Sequence, residues 1–229
     1  MRISLCVVSA CLVALSWSHD GKGGIAMALT ESTMLELGTQ APDFSLTEVI
    51  SGKTVSLKNF ANKKALLVMF ICQHCPYVQH VKEELARLGR DYAKRDIGIV
   101  ALSSNDAKGY PDDAPDQLKA MEQKEGFAFP FCYDESQKVA KAYTAACTPD
   151  FFLFSAGGGS ASGGDETRRL VYRGQLDDSR PVNGKPVTGR DLRAAIEAVL
   201  GGRPVSVDQR PSAGCNIKWR PGNAPDYAR

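Results

Sequence analysis

Residues 70–80 read FICQHCPYVQH: Cys72 and Cys75 stand three positions apart, with His74 between them and Pro76 directly after. On the N-terminal side lies a continuous apolar run, Ala65 to Ile71, the pattern of a strand buried on both faces. On the C-terminal side Val78, Val81, Leu85, Leu88 and Tyr92 recur at three- and four-residue intervals, which predicts a helix. Pro76 suits the first turn of that helix, where a missing N–H costs nothing. The two thiols therefore fall at a strand-to-helix junction.

That position has chemical meaning. A thiol reacts as its thiolate, and an isolated cysteine is mostly protonated at neutral pH. The unpaired N–H groups and the dipole at a helix start favour an anion. The C-x-x-C spacing lets the second sulfur reach back and close a disulfide with the first. Protonated His74 would lower the first thiol's pKa further. The expected roles are Cys72 as nucleophile, Cys75 as resolving thiol and His74 as the group that tunes the anion.

Other uses of such a cluster are a metal clamp, a peroxide-reducing thiol or a pair of packed core thiols. Zinc needs four ligands, and the chain has no second C-x-x-C and no paired histidines. His80 lies six residues beyond His74, so the two point to different sides of a helix. No metal or other cofactor is expected. A copper-binding protein remains the alternative from another class, because soft thiolates suit Cu(I).

The rest of the composition is bland. The chain has 229 residues, enough for one domain with a real core, and 43% apolar and 24% charged content. A net charge of +2 leaves no footprint for nucleic acid or an anionic membrane. Ile3 to Trp17 is apolar, follows Arg2, and resembles a secretory signal with Ala26-Met27-Ala28 as cleavage site. It is too short to span a bilayer comfortably. Lys22-Gly23-Gly24 has a second reading, as a translated ribosome-binding sequence ahead of a start at Met27. Segment 1–26 is thus either signal-like or mis-assigned. Beyond it stand five irregularly spaced cysteines (Cys72, Cys75, Cys132, Cys147, Cys215), which favour reduced thiols and a cytoplasmic location. A true signal would make the protein periplasmic instead.

Along the chain, 38–46 and 53–57 flank the Ser51-Gly52 turn signal and predict an N-terminal β-hairpin. Strands are expected at 65–71, 97–103, 130–133, 150–154 and 169–173, and helices at 76–92, 116–124, 137–143 and 188–200. Thr188 is the expected N-cap of the last helix and Gly201 its end. A Gly/Ser linker is predicted at 155–164 and an extended, mobile tail carrying Cys215 at 202–229. The alternation of strands and helices implies a central sheet with helices on both faces.

Taken together, Gly38-Thr39-Gln40-Ala41-Pro42-Asp43-Phe44-Ser45-Leu46, the Cys72–Pro76 core, Thr148-Pro149 before an apolar strand, the 171–181 stretch and Gly214 to Trp219 carry a resemblance. The chain resembles the alkyl hydroperoxide reductase/thiol-specific antioxidant superfamily, in its peroxiredoxin-like, thioredoxin-fold branch, over roughly 37–201. The resemblance implies an α/β thioredoxin-like fold and a cis Thr148–Pro149 bond facing the dithiol. It also implies that Pro149 presents backbone to a partner's extended chain. Cys147 then lies near the dithiol as either an auxiliary or a packed thiol, and Cys215 is a second candidate auxiliary thiol. Cys72 stands where peroxiredoxins carry a threonine, which argues against a dedicated peroxidase. Gln73-His74 between the cysteines predicts a more oxidising disulfide than that of thioredoxin. The expected function is thiol–disulfide exchange with protein or low-molecular-weight partners in redox homeostasis, with a thiol-dependent peroxidase as the alternative. Oligomeric state is not legible.

Overall fold

A computed structural model describes residues 29–156 and 167–228. Segment 1–26 and most of the predicted Gly/Ser linker lie outside the described residues. In chain order the elements are β1 (Leu29–Glu31), β2 (Ser45–Glu48), β3 (Thr54–Ser56), β4 (Ala65–Phe70), α1 (Pro76–Tyr92), β5 (Ile97–Ser103) and α2 (Pro115–Glu125). Then follow β6 (Phe131–Tyr133), α3 (Lys138–Ala142), β7 (Cys147–Thr148), β8 (Asp150–Ala156), β9 (Arg168–Gly174), α4 (Arg190–Leu200) and β10 (Ala213–Asn216).

Seven strands form one mixed sheet in the order β3-β2-β6-β5-β4-β8-β9, with β4 at its heart, parallel to β5 and antiparallel to β8. All of β4 is buried, as its unbroken apolar run requires. Its side chains alternate between two cores. Ala65, Leu67 and Met69 meet α1, α2 and α4 through Val78, Leu85, Leu118 and Ile196, while Leu66, Val68 and Phe70 meet Phe44, Ala140, Tyr143 and Ile217 on the far face. The predicted hairpin exists as β2–β3, with Ser45 opposite Ser56, although most of 38–44 is irregular rather than strand.

Two expectations need correction. Thr188 does not cap α4. The cap is Gly189 in a left-handed conformation, and buried Asp177 accepts the N–H groups of Thr188 and Gly189 at 2.6 Å each. The tail, in turn, is not free. Ala213–Asn216 forms a strand between β1 and β7 in a second, three-stranded sheet, and Cys215 and Ile217 are buried. Gly174, at φ +119°, lets the tail pass close: a Cβ there would sit 2.0 Å from the Arg210 carbonyl oxygen. No helix among the described residues is long and apolar enough to cross a membrane.

Glu122 on α2 and Glu48 on β2 form a buried carboxyl pair. Burial, together with the Glu48 carboxylate, pushes Glu122 up to about 8, from 4.5. Between those two values the folded protein holds a proton that the unfolded chain releases, so this group makes stability fall as pH rises through that window. Glu122→Gln should flatten that slope, read from Tm at several pH values; an unchanged slope would show that Glu122 is not the group responsible.

Candidate active site

β4 ends at Phe70 and leads into Ile71 and Cys72, while Cys75 is the residue before the first turn of α1 and Pro76 the first residue within it. Both cysteines have 0% exposure. The Thr148–Pro149 bond is cis, as expected, and brings Thr148 over the dithiol. The Thr148 hydroxyl lies 3.3 Å from the Cys72 sulfur. Its carbonyl oxygen lies 3.1 Å from the Cys75 sulfur and accepts from that thiol when it is protonated. All five cysteines among the described residues are free and buried.

The sequence places the anion on Cys72; in the structure Thr148 sets its hydroxyl against the Cys72 sulfur and its carbonyl oxygen against that of Cys75. The Cys215 and Cys72 thiols, the Thr148 side chain and the Val78 backbone N–H at the helix start all favour the Cys75 thiolate and hold its pKa low against burial. Cys72 is pushed well up by burial, by its contact with Cys75 and by the nearby Asp113 carboxylate.

His74 is also differently employed. Its Nδ1 pairs with the buried carboxylate of Asp113, which raises the imidazole pKa. Asp113 further accepts the Gln73 N–H at 2.8 Å, the His74 N–H at 3.1 Å and the Asn105 amide at 2.7 Å. Burial pushes the Asp113 pKa up, but the hydrogen bonds from His74 and Asn105 together outweigh it and the carboxylate stays ionised. His74 stacks on Tyr110 with ring centroids 5.5 Å apart, and the Lys218 ammonium sits 5.5 Å from the Tyr110 ring centre. A protonated His74 is thus largely compensated by Asp113. It holds the Gln73-His74 turn in place more than it stabilises Cys72.

Cys72, His74 and Asp113 offer ligand atoms within 4.8 Å of one another. Both Asp113 oxygens already accept two donors each. The histidine that the sequence set aside as a ligand, His80, binds the Ser179 hydroxyl at 2.8 Å instead.

Pro149 was expected to offer backbone to a partner's extended segment. The chain fills that edge itself: β10 pairs antiparallel with β7, with Cys215 opposite Thr148 and Asn216 opposite Cys147. Gly214 is the reason β10 can lie so close, because a Cβ there would stand 2.0 Å from the Thr148 carbonyl oxygen. Gly214→Ala should therefore unseat β10 and speed alkylation of Cys72 and Cys75; an unaltered alkylation rate would show that the strand does not cover them. Cys215 faces the dithiol alongside Thr148. Cys147 precedes Thr148 and points to the other side of the strand. The Cys147 thiol lies 3.8 Å from the Pro149 carbonyl, and burial holds its pKa high.

Of the expected site residues, Cys72, Cys75, His74, Pro149 and Cys215 come together. Thr148, Asp113 and Asn105 were missed. Thr148 had a readable signal in its place before Pro149. Asp113 and Asn105 sit in a polar loop far along the chain, with nothing local to mark them.

A thiol-disulfide oxidoreductase ResA of Geobacillus kaustophilus is 26% identical over 131 residues, covering 56% of this chain and 69% of its own. The crystal structure of an uncharacterized conserved protein of the same organism is 51% identical with a TM-score of 0.80, over 86% of this chain and all (100%) of that one. A Chlorobium tepidum protein assigned as a thiol:disulfide interchange protein DsbE, 18% identical with a TM-score of 0.53 over 73% of this chain and 99% of its own, shares the thioredoxin-like fold. Residues 37–159, which hold the hairpin, the dithiol and the cis proline, match the AhpC/TSA family, and the chain belongs to it.

Proposed function

We propose that the protein is a thiol–disulfide oxidoreductase in which Cys75 is the attacking sulfur and Cys72 the resolving one. What supports this reading best is the placement of the dithiol, with Cys75 directly before the first turn of α1 and both sulfurs against Thr148 of the cis Thr148–Pro149 pair. The Cys75 thiolate attacks one sulfur of a substrate disulfide, forming a mixed disulfide and releasing the other sulfur as thiolate. Cys72 then loses its proton, with the Thr148 hydroxyl 3.3 Å away to stabilise the developing anion, and attacks Cys75. The mixed disulfide breaks, the Cys72–Cys75 bond forms, and the substrate leaves reduced by two electrons.

Both cysteines are fully buried, so a substrate disulfide reaches them only when the chain around them opens. A thiolate stabilised in the reduced form makes the disulfide more oxidising. Equilibration against glutathione buffers, with alkylation of free thiols, should give one two-electron transition above the roughly −270 mV of thioredoxin. A value below thioredoxin's, or a transition that survives Cys75→Ser, would overturn the reading.

A further inference from the structure

The tail thiol forms no bond in the exchange just described, yet it shares a core with the sulfur on which that exchange turns. Cys215 and Cys75 are buried in the same core and meet at Thr148, which pairs with Cys215 across β10 and holds its carbonyl oxygen 3.1 Å from the Cys75 sulfur; burial also raises the Cys215 pKa. Its placement is fixed from both sides. Leu29 of β1 pairs with Cys215 across one edge of β10, and Thr148 of β7 pairs with it across the other. Around it Ser212 and Ile217 are buried, and Gly214 packs on the Thr148 carbonyl. Further along, the Lys218 N–H donates to Asn105 at 2.8 Å, and the Lys218 carbonyl accepts from the Gln137 amide at 3.0 Å. A mobile tail would bring its cysteine near Cys75 only by chance; this one holds it there.

We propose that Cys215 is a third redox thiol of this site, which competes with Cys72 for Cys75 and closes a Cys75–Cys215 disulfide between the tail and the start of α1. The inference rests on the reading of Cys72 and Cys75 as an exchange centre. The electrons balance within the chain. Once a substrate disulfide has oxidised the pair, the Cys215 thiol loses its proton and its sulfur attacks Cys75. The Cys72–Cys75 bond breaks, the Cys75–Cys215 bond forms, and Cys72 leaves as a thiolate that takes up a proton. No further oxidant is needed. Chemistry favours the step at that moment: a disulfide-bonded Cys75 carries no charge, so Cys215 loses the anion that held its proton in place. The product returns Cys72 to the thiol state and fastens the covering strand over the site by a covalent bond.

The test uses full-length protein oxidised with one equivalent of glutathione disulfide, quenched in acid, alkylated and digested without reduction for mass spectrometry. In Cys72→Ser, Cys75 first takes up glutathione, and the linkage found at the end should be Cys75–Cys215. In Cys72→Ser/Cys215→Ser the glutathione adduct on Cys75 should persist at least about tenfold longer, because no resolving thiol remains. Wild-type protein, measured alongside, should show both the Cys72–Cys75 and the Cys75–Cys215 linkages, which keeps the test open if a variant folds poorly. Wild-type protein with the Cys72–Cys75 linkage alone, together with a Cys72→Ser protein that stops at the glutathione adduct, would overturn this inference and leave the exchange centre standing. Wild-type protein with neither linkage would remove the exchange centre and this inference with it.

Discussion

Cys75→Ser is expected to lower the rate of thiol–disulfide exchange by on the order of a thousandfold, because it removes the sulfur that begins the reaction and leaves a deeply buried, protonated Cys72 in its place. Cys72→Ser should behave differently. It keeps the attacking thiolate and one of its donors, since a serine hydroxyl also donates, but it loses the thiol that releases the substrate from Cys75. Mixed disulfides with partner proteins should therefore accumulate in Cys72→Ser/Cys215→Ser, where no resolving thiol remains, and disappear on reduction. Non-reducing gels of this variant beside Cys75→Ser decide the matter. Trapping by Cys75→Ser instead would place the attack at Cys72, as the sequence alone suggests, and would mean that the helix-start donors matter less than Cys72's place at the strand end.

The largest loss of stability is expected at Tyr143. It is fully buried on the far face of the sheet, edge-on to Phe70 at 5.6 Å, Phe152 at 5.6 Å and Phe154 at 5.8 Å between ring centroids. Its hydroxyl donates to the Pro42 carbonyl at 2.9 Å, which ties the irregular segment before β2 to α3's C-terminal end. Tyr143→Ala removes the ring from three aromatic neighbours and leaves a cavity, at a cost of about 4 kcal/mol. In a protein of this size that lowers Tm by roughly 10 °C. Tyr143→Phe keeps the ring and gives up only the hydrogen bond, at about 1 kcal/mol. Urea denaturation of both variants measures the difference; equal losses would assign the cost to the hydroxyl rather than to the packing.

Much of this architecture could be read from the chain before any coordinates. β4 and β5 announce themselves as unbroken apolar runs, because strands covered on both faces have no polar side to show. α1 follows from its three-to-four-residue spacing and from Pro76 at its start. β1, β7 and β10 were illegible for a shared reason. They span two to four residues, include Gly214 and Asn216, and draw their stability from pairing with one another rather than from any local pattern. The site divides in the same way. Its cysteines, its histidine and its proline form local motifs. Asp113 lies 39 residues from the histidine it binds, and only the folded loop brings the two together.

The placement of β10 has a consequence for how the protein is made. The seven-stranded sheet is complete at Gly174 and its last packing helix at Leu200, before Cys215 and Ile217 of the tail add to the two cores. Domains fold from the N-terminal side as they leave the ribosome. Cys72 and Cys75 are thus brought into place while their cover is still being synthesised or is inside the exit tunnel. The nascent chain passes through an interval in which its reactive sulfurs stand open to the surrounding thiols and disulfides. That interval ends when β10 takes its place between β1 and β7.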